Sequence, residues 1–188
     1  SADPVRAARA LRLQGECAAV QGDSAAARNA LDKAVALTPR DPVAYNSRGY
    51  YAYAHFDKHH EAVEDYDRAI KLNPNYSYAF NNRGWSRYRM GDREQALKDI
   101  NKAARRKVFN PFVYRNLGII TLEQGDTLKA CGHFRKALSY GFTALYGPEV
   151  EDLMKGNCGR TEPAAPVQAP NAPLPPRSGK PPVRSNAP

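Results

Sequence analysis

The stretch NNRGWSRYRMGD, residues 81–92, sets two asparagines, a tryptophan and an arginine-flanked tyrosine around Gly84 in a segment that otherwise reads as a helix. Whether such a helix is architecture or chemistry depends on whether it recurs, because a pattern repeated at fixed spacing builds a fold first. It recurs. Gly15, Gly49, Gly84 and Gly118 lie 34, 35 and 34 residues apart. Each is followed by an alanine, a large residue and a second alanine: Ala27/Leu31/Ala34, Ala62/Tyr66/Ala69, Ala96/Ile100/Ala103 and Ala130/Phe134/Ala137.

Each copy has the parts of a helical hairpin. The glycine leaves room for a neighbouring helix, the paired alanines let a second helix close on the first, and Leu11, Tyr45, Phe80 and Tyr114, four positions before each glycine, are placed to fill the gap. Gly22-Asp23, Gly91-Asp92 and Gly125-Asp126 mark the inner turns, each aspartate being suited to cap the next helix. Pro39, Pro74 and Pro111 punctuate the joints between copies. Copy two reads Phe56-Asp57-Lys58 at its turn and is one residue longer from glycine to first alanine, so a lengthened inner turn with both helices kept is expected there.

The period and these residue types resemble the tetratricopeptide repeat. The resemblance covers about residues 8–142 and implies an all-α, right-handed α-solenoid of four helix pairs, at about 8–41, 42–76, 77–110 and 111–142 within a domain spanning 1–142. Pro148 then opens a capping helix within 143–158, with Val150, Leu153 and Met154 on one face to shield the last repeat. From 159 to 188 the chain holds nine of its fifteen prolines, a composition that buries no core and is expected to be disordered or extended.

An apolar content of 42% with helical periodicity supports a folded core over most of the 188 residues. No apolar run approaches the roughly 18 residues that cross a bilayer. The chain begins at Ser1 without a methionine, as expected of a removed leader or a chosen boundary. Of the net charge of +9, the tail supplies 4 − 1 = +3 through Arg160, Arg177, Lys180 and Arg184 against Glu162, leaving +6 for the remainder. Such a balance suits acidic partners without selecting one.

The stretch from Lys129 to Cys158 also resembles the end of secreted or periplasmic bacterial repeat proteins, in which one cysteine lies on the last repeat helix and another after the cap. That resemblance implies a Cys131–Cys158 disulfide and an extracytoplasmic, periplasmic or secreted, location; the alternative is two reduced cysteines in the cytoplasm. Cys17 is expected as a small buried apolar residue. HFDKHHE, residues 55–61, sets His55 and His59 at the spacing of helical zinc ligands, but across a predicted turn that voids the spacing, and a solvated polar turn is the expectation. No nucleophile elbow, phosphate loop or CxxC pair is present. No catalytic residue, cofactor or metal is expected.

In the repeat family the first helix of each pair lines a concave groove, which implies a site for a protein or an extended peptide. The groove positions of copy three are Asn81, Asn82, Trp85, Tyr88 and Arg89; of copy two Asn46, Ser47, Tyr50, Tyr53 and Ala54; of copy four Arg115, Asn116, Ile119, Leu122 and Glu123. Asparagine amides suit a peptide main chain, tyrosine and tryptophan supply broad amphipathic faces, and Arg12, Arg89 and Arg115 suit ligand carboxylates. The family's carboxylate clamp for chaperone tails needs lysine and asparagine where Arg12 and Glu16 stand, and basic residues where Tyr78 and Asn82 stand. The expected function is therefore a non-catalytic interaction module or scaffold, an accessory subunit of an extracytoplasmic bacterial assembly whose tail docks on a partner or acts as a spacer. The alternative is single-stranded nucleic acid held by Arg83, Arg87, Arg89 and Arg93 beside Trp85 and Tyr88, against which acidic residues such as Asp65 and Asp67 weigh.

Overall fold

A computed structural model describes residues 3–106 and 109–159, and the expected proline-rich tail lies outside the described residues from Arg160 on. Helix follows helix among the described residues, with no strand: α1 (Pro4–Val20), α2 (Ser24–Leu37), α3 (Pro42–Arg48), α4 (His59–Leu72), α5 (Ser77–Arg89), α6 (Arg93–Ala104), α7 (Pro111–Glu123), α8 (Thr127–Ser139), α9 (Phe142–Tyr146) and α10 (Glu149–Asn157). They form two compact units that divide between Val113 and Tyr114.

In both units the second helices supply the closest packing. All twelve residues of the alanine/large/alanine triplets are at most 1% exposed. The repeat glycines are what admit them: a Cβ on Gly84 would lie 2.6 Å from Ile100 Cγ1 and 2.9 Å from the Ala96 carbonyl, and one on Gly15 would lie 2.6 Å from Leu31 Cγ. Asp23, Asp92 and Asp126 accept hydrogen bonds from the backbone N–H groups of Ala26, Gln95 and Lys129 at 2.9, 3.1 and 3.0 Å, capping α2, α6 and α8. Of the expected gap-fillers, Phe80 is buried and Leu11, Tyr45 and Tyr114 are half-buried. The Tyr45 ring is flanked by the guanidinium groups of Arg48 and Arg68, 5.8 and 5.9 Å from its centroid.

The extra residue of copy two is not in its turn. Each inner turn closes alike: the N–H of Gly22 bonds the Ala19 carbonyl and that of Asp23 the Ala18 carbonyl, and Asp57 and Lys58 repeat this with Ala54 and Tyr53. Asp57 takes the left-handed conformation of the turn glycines, φ 59° against 84° at Gly22, which aspartate tolerates better than bulkier residues. The insertion is instead absorbed where α3 continues as a π-helix over Gly49–Tyr53 and a 3-10 turn over Ala54–Phe56. A π segment takes up one residue without opening the hairpin. It keeps Tyr51 and Ala52 packed on Ala18, Ala19, Ala27 and Leu31.

Two guanidinium brackets tie successive pairs of the first unit. Arg48, on α3, grips Asp65 of α4 with Nε at 2.8 Å and Nη2 at 2.6 Å, while its Nη1 reaches Asp32 of α2 at 2.8 Å. Arg83, on α5, grips Asp99 of α6 at 2.7 and 2.6 Å and reaches Asp67 of α4 at 2.6 Å. Arg87 adds a third bond to Asp99, a residue only 2% exposed. In each bracket one arginine holds the second helix of its own pair and that of the pair before.

In the second unit α10 lies against α8 and α9, burying Val150 and Met154, with Leu153 half-buried beside them. Cys131 on α8 and Cys158 after α10 are disulfide-bonded, with Cα atoms 5.7 Å apart. Cys17, expected to be buried, is exposed. It lies two residues beyond Gly15, so the 100° helical step turns it away from the face that packs on α2.

Two outcomes follow for stability. Gly84→Ala is expected to cost about 1–3 kcal/mol by overpacking against Ile100, whereas Gly132→Ala, in α8 with open space around it, is expected to stabilise by up to about 1 kcal/mol; urea melts showing the same sign for both would contradict the packing assigned to Gly84. Denatured, unreduced protein is expected to label at one thiol, Cys17, and reduction is expected to remove about 2–4 kcal/mol of stability.

Candidate interaction face

The first helices of the first unit carry most of the expected binding residues, and the structure links several of them. Asn82 Nδ2 on α5 donates to Asn46 Oδ1 on α3 at 3.1 Å, and Asn81 Nδ2 donates to Asn82 Oδ1 at 3.3 Å. This amide chain is partly inward: Asn46 is 6% exposed and Asn81 2%, while Asn82 is half-buried. Beside it Trp85 and Tyr88 stack with ring centroids 5.3 Å apart, both half-exposed. Tyr50 meets Tyr51 edge-on at 4.9 Å. Arg12 is half-buried on α1, close enough for its charge to act on Tyr76, whose hydroxyl burial holds above its usual pKa.

Other expected residues sit elsewhere. Tyr53, at the end of the π segment, packs with Tyr50 against the α1/α2 cluster and has the Arg28 guanidinium 5.8 Å from its ring. Arg89 is exposed and pairs with Asp57 at 3.1 Å. In the second unit Arg115 binds Glu149 through two nitrogens and donates to Asn116 Oδ1 at 2.9 Å; Asn116 is 3% exposed. Glu16, which occupies a clamp position of the repeat family, accepts the Tyr51 hydroxyl at 2.6 Å.

Charge on this face is smaller than the sequence suggests. Arg83 and Arg87, named for the nucleic-acid reading, are spent on Asp99 and Asp67. Burial pulls the Arg83 pKa down, but its bonds to Asp99 and Asp67 outweigh burial and raise it. These brackets escaped the sequence reading, although a signal existed. An arginine directly before the repeat glycine and aspartates flanking the central residue of the second-helix triplet recur at the repeat period.

The histidines diverge. His55 packs on Tyr50 and Phe56, His60 is exposed, and His59 is buried with Nδ1 3.3 Å from Ser86 Oγ and Nε2 3.5 Å from Asp57. Among the described residues no three histidine, cysteine or acidic side chains are grouped to hold a metal ion, and no helix is long and apolar enough to cross a membrane.

Two family models match this arrangement: one described as Tetratricopeptide repeat over residues 2–42 and 81–144, and one described as TPR repeat over 57–91. The chain belongs to the tetratricopeptide-repeat family. No curated protein matches the sequence. Among solved structures, the first TPR domain of human RPAP3 is similar at 26% identity and TM-score 0.59, covering 65% of this chain and 95% of that one. The first TPR of Spaghetti (RPAP3) bound to the HSP90 peptide SRMEEVD is similar at 26% and 0.58, covering 64% and 98%. MamA is similar at 26% and 0.57, covering 76% and 82%.

Within this tetratricopeptide protein His59 contributes a pH dependence. Burial first, and Arg89 second, lower its pKa in the folded chain, so the unfolded chain takes up the proton first on acidification. Its contribution to stability is therefore present at neutral pH and lost as pH falls through the unfolded value of about 6.5. Urea midpoints at about pH 7.5 and 5.5 are expected to differ less for His59→Gln than for the wild type, the residual difference including His133, also lowered by burial. Equal differences would remove His59 from the effect.

Proposed function

We propose that this chain is a non-catalytic protein–protein interaction module that binds an extended peptide or partner segment across the first helices of its repeats. The observation that carries this reading is the amide chain of Asn46, Asn82 and Asn81 beside the Trp85–Tyr88 stack. Amides pair with main-chain groups whatever the sequence bound, and stacked aromatics give contact area at low entropic cost. Asn82, Trp85, Tyr88, Tyr50, Arg12 and Arg89 make the contact in this proposal. Asn46 and Asn81 orient Asn82, and Tyr53 braces the π segment behind Tyr50. Arg115 and Asn116 lie in the second unit, where Arg115 holds Glu149 and Asn116 is buried, and stand outside this contact. The arginines favour a partner bearing carboxylates.

The related RPAP3 domain holds a peptide ending in EEVD. This chain is proposed to take a different one, because Glu16 stands at a clamp position and Tyr78 fills another with its hydroxyl bonded to the Phe109 carbonyl at 3.1 Å. The apposition of Cys131 and Cys158 supports an extracytoplasmic setting, where such a pair stays oxidised. An accessory subunit of a larger bacterial assembly, its tail serving as spacer or as a second docking segment, is the role we assign there.

The test is affinity capture from the native source with the intact chain and with the Trp85→Ala/Asn82→Ala double variant. The variant is expected to keep its helix content and to bind the captured protein roughly 10-fold or more weakly. Unchanged affinity with a lower melting temperature would assign Trp85 to packing and overturn the face. The peptide SRMEEVD is expected to show no saturable binding below about 1 mM.

A further inference from the structure

Charge in the first unit is sorted along its helices. Each pair is a hairpin, so the ends of α2, α4 and α6 and the joints after them share one edge, and the inner turns share the opposite one. The joint edge carries Arg40, Arg68, Lys71, Lys102, Arg105 and Arg106, all exposed except the half-buried Arg106. Contacts across the joints gather them. Arg68 lies 5.9 Å from the Tyr45 ring of α3, Arg106 donates to the Pro74 carbonyl at 2.9 Å, and Lys102 and Arg106 stand 5.8 and 5.4 Å from the Phe80 centroid on α5.

Among the described residues no carboxylate pairs with any of the six, whereas Arg48, Arg83, Arg87 and Arg89 are all paired. The neighbouring acids are engaged: Asp41 caps α3 by accepting the Val43 N–H at 2.8 Å, and Asp32 and Asp67 hold the bracket arginines. At the inner-turn edge, exposed Asp23, Asp57, Glu61, Asp92 and Glu94 balance the cations beside them. A cation in the last turn of a helix answers its dipole, which accounts for Lys71 and Lys102. Arg40, Arg68, Arg105 and Arg106 are in surplus.

We propose that this joint edge adsorbs to an anionic lipid surface, with the helices of the first unit end-on to it. The cations come from separate helices and line an edge rather than a cleft, and a plane of headgroup phosphates meets them together. Adsorption of this kind needs several cations within a Debye length of the surface, each adding a similar increment. A nucleic acid fits less well, because no ring is open for stacking a base: Tyr45 lies between two guanidinium groups and Phe80 is buried. A protein interface fits less well too, because it is built around an apolar anchor. Among the described residues of 68–80 and 100–112 no large hydrophobic side chain is exposed. The edge shares no residue with the proposed interaction face, so the surface and a peptide can be held at once.

Sedimentation of the full chain with sucrose-loaded vesicles tests this. In about 0.05 M salt the chain is expected to pellet with phosphatidylcholine vesicles holding about 40% phosphatidylglycerol, to remain in solution with phosphatidylcholine alone, and to be released at about 0.5 M salt. Lys71→Glu/Arg105→Glu is expected to bind the anionic vesicles roughly 10-fold or more weakly. Lys58→Glu/Lys129→Glu, with the same net charge but altered at exposed lysines off the edge, is expected to bind within about 3-fold of the wild type. Helix content is expected to be equal in all three, and the tail's charges are common to them. Binding that does not require the anionic lipid, or that the two variants weaken alike, overturns the proposal. So does an edge that ignores vesicles but takes polyglutamate or oligothymidylate through Lys71 and Arg105, which would assign it to an acidic protein or a nucleic acid.

Discussion

The first unit is organised around a guanidinium group shared between carboxylates on successive second helices. Close packing through glycine and alanine brings helices together but leaves their small surfaces free to slide. Arg48 and Arg83 remove that freedom, because a planar fork satisfies two oxygens of one aspartate only in a narrow geometry while its remaining nitrogen fixes the next helix over. Asp99 shows how completely this is committed: nearly sealed from solvent, it is held by both Arg83 and Arg87. Losing one partner of such a buried pair strands the other charge at a cost of about 3–5 kcal/mol. The brackets therefore set the register in which the amide chain from Asn46 to Asn81 is assembled.

What the sequence made legible was the part governed by local pattern. The glycine and alanine periodicity located the helix pairs because a 34-residue period has few physical explanations, and the aspartates after Gly22, Gly91 and Gly125 marked the next helices because capping is a short-range effect. The Cys131–Cys158 pairing followed from a resemblance rather than from spacing. The brackets were not read, because a run of arginines in one dimension does not reveal that carboxylates 16 or 17 residues away in either direction converge on them. Arg83 and Arg87 accordingly looked like free positive charge. Cys17 was misjudged for a related reason: burial at its repeat position comes from the preceding pair, which periodicity within one copy cannot supply.

The inserted residue of copy two shows how local and tertiary demands are reconciled. A longer turn would have displaced Asp57 and with it the start of α4. Winding Gly49–Tyr53 as a π-helix keeps the turn geometry and the packing of Ala52, at the expense of turning Tyr53 toward α2. The aromatic residues of this copy thus gather on the previous pair, Tyr51 within its cluster and Tyr50, Tyr53 and Phe56 packed against it. Asparagine, tyrosine and arginine at equivalent repeat positions need not share a role, since one residue of slippage rotates everything beyond it.

The brackets also have a direction. Copy one supplies an acceptor in Asp32 but no donor, copy two supplies both in Arg48 and Asp67, and copy three donates through Arg83 while Asn101 stands where its onward acceptor would be. The segment 42–76 is thus the one copy with both a plug and a socket. Duplicating it in tandem would present a second Arg48 to the existing Asp67 and a second Asp67 to Arg83, so the array could lengthen by whole cassettes without a mismatched joint.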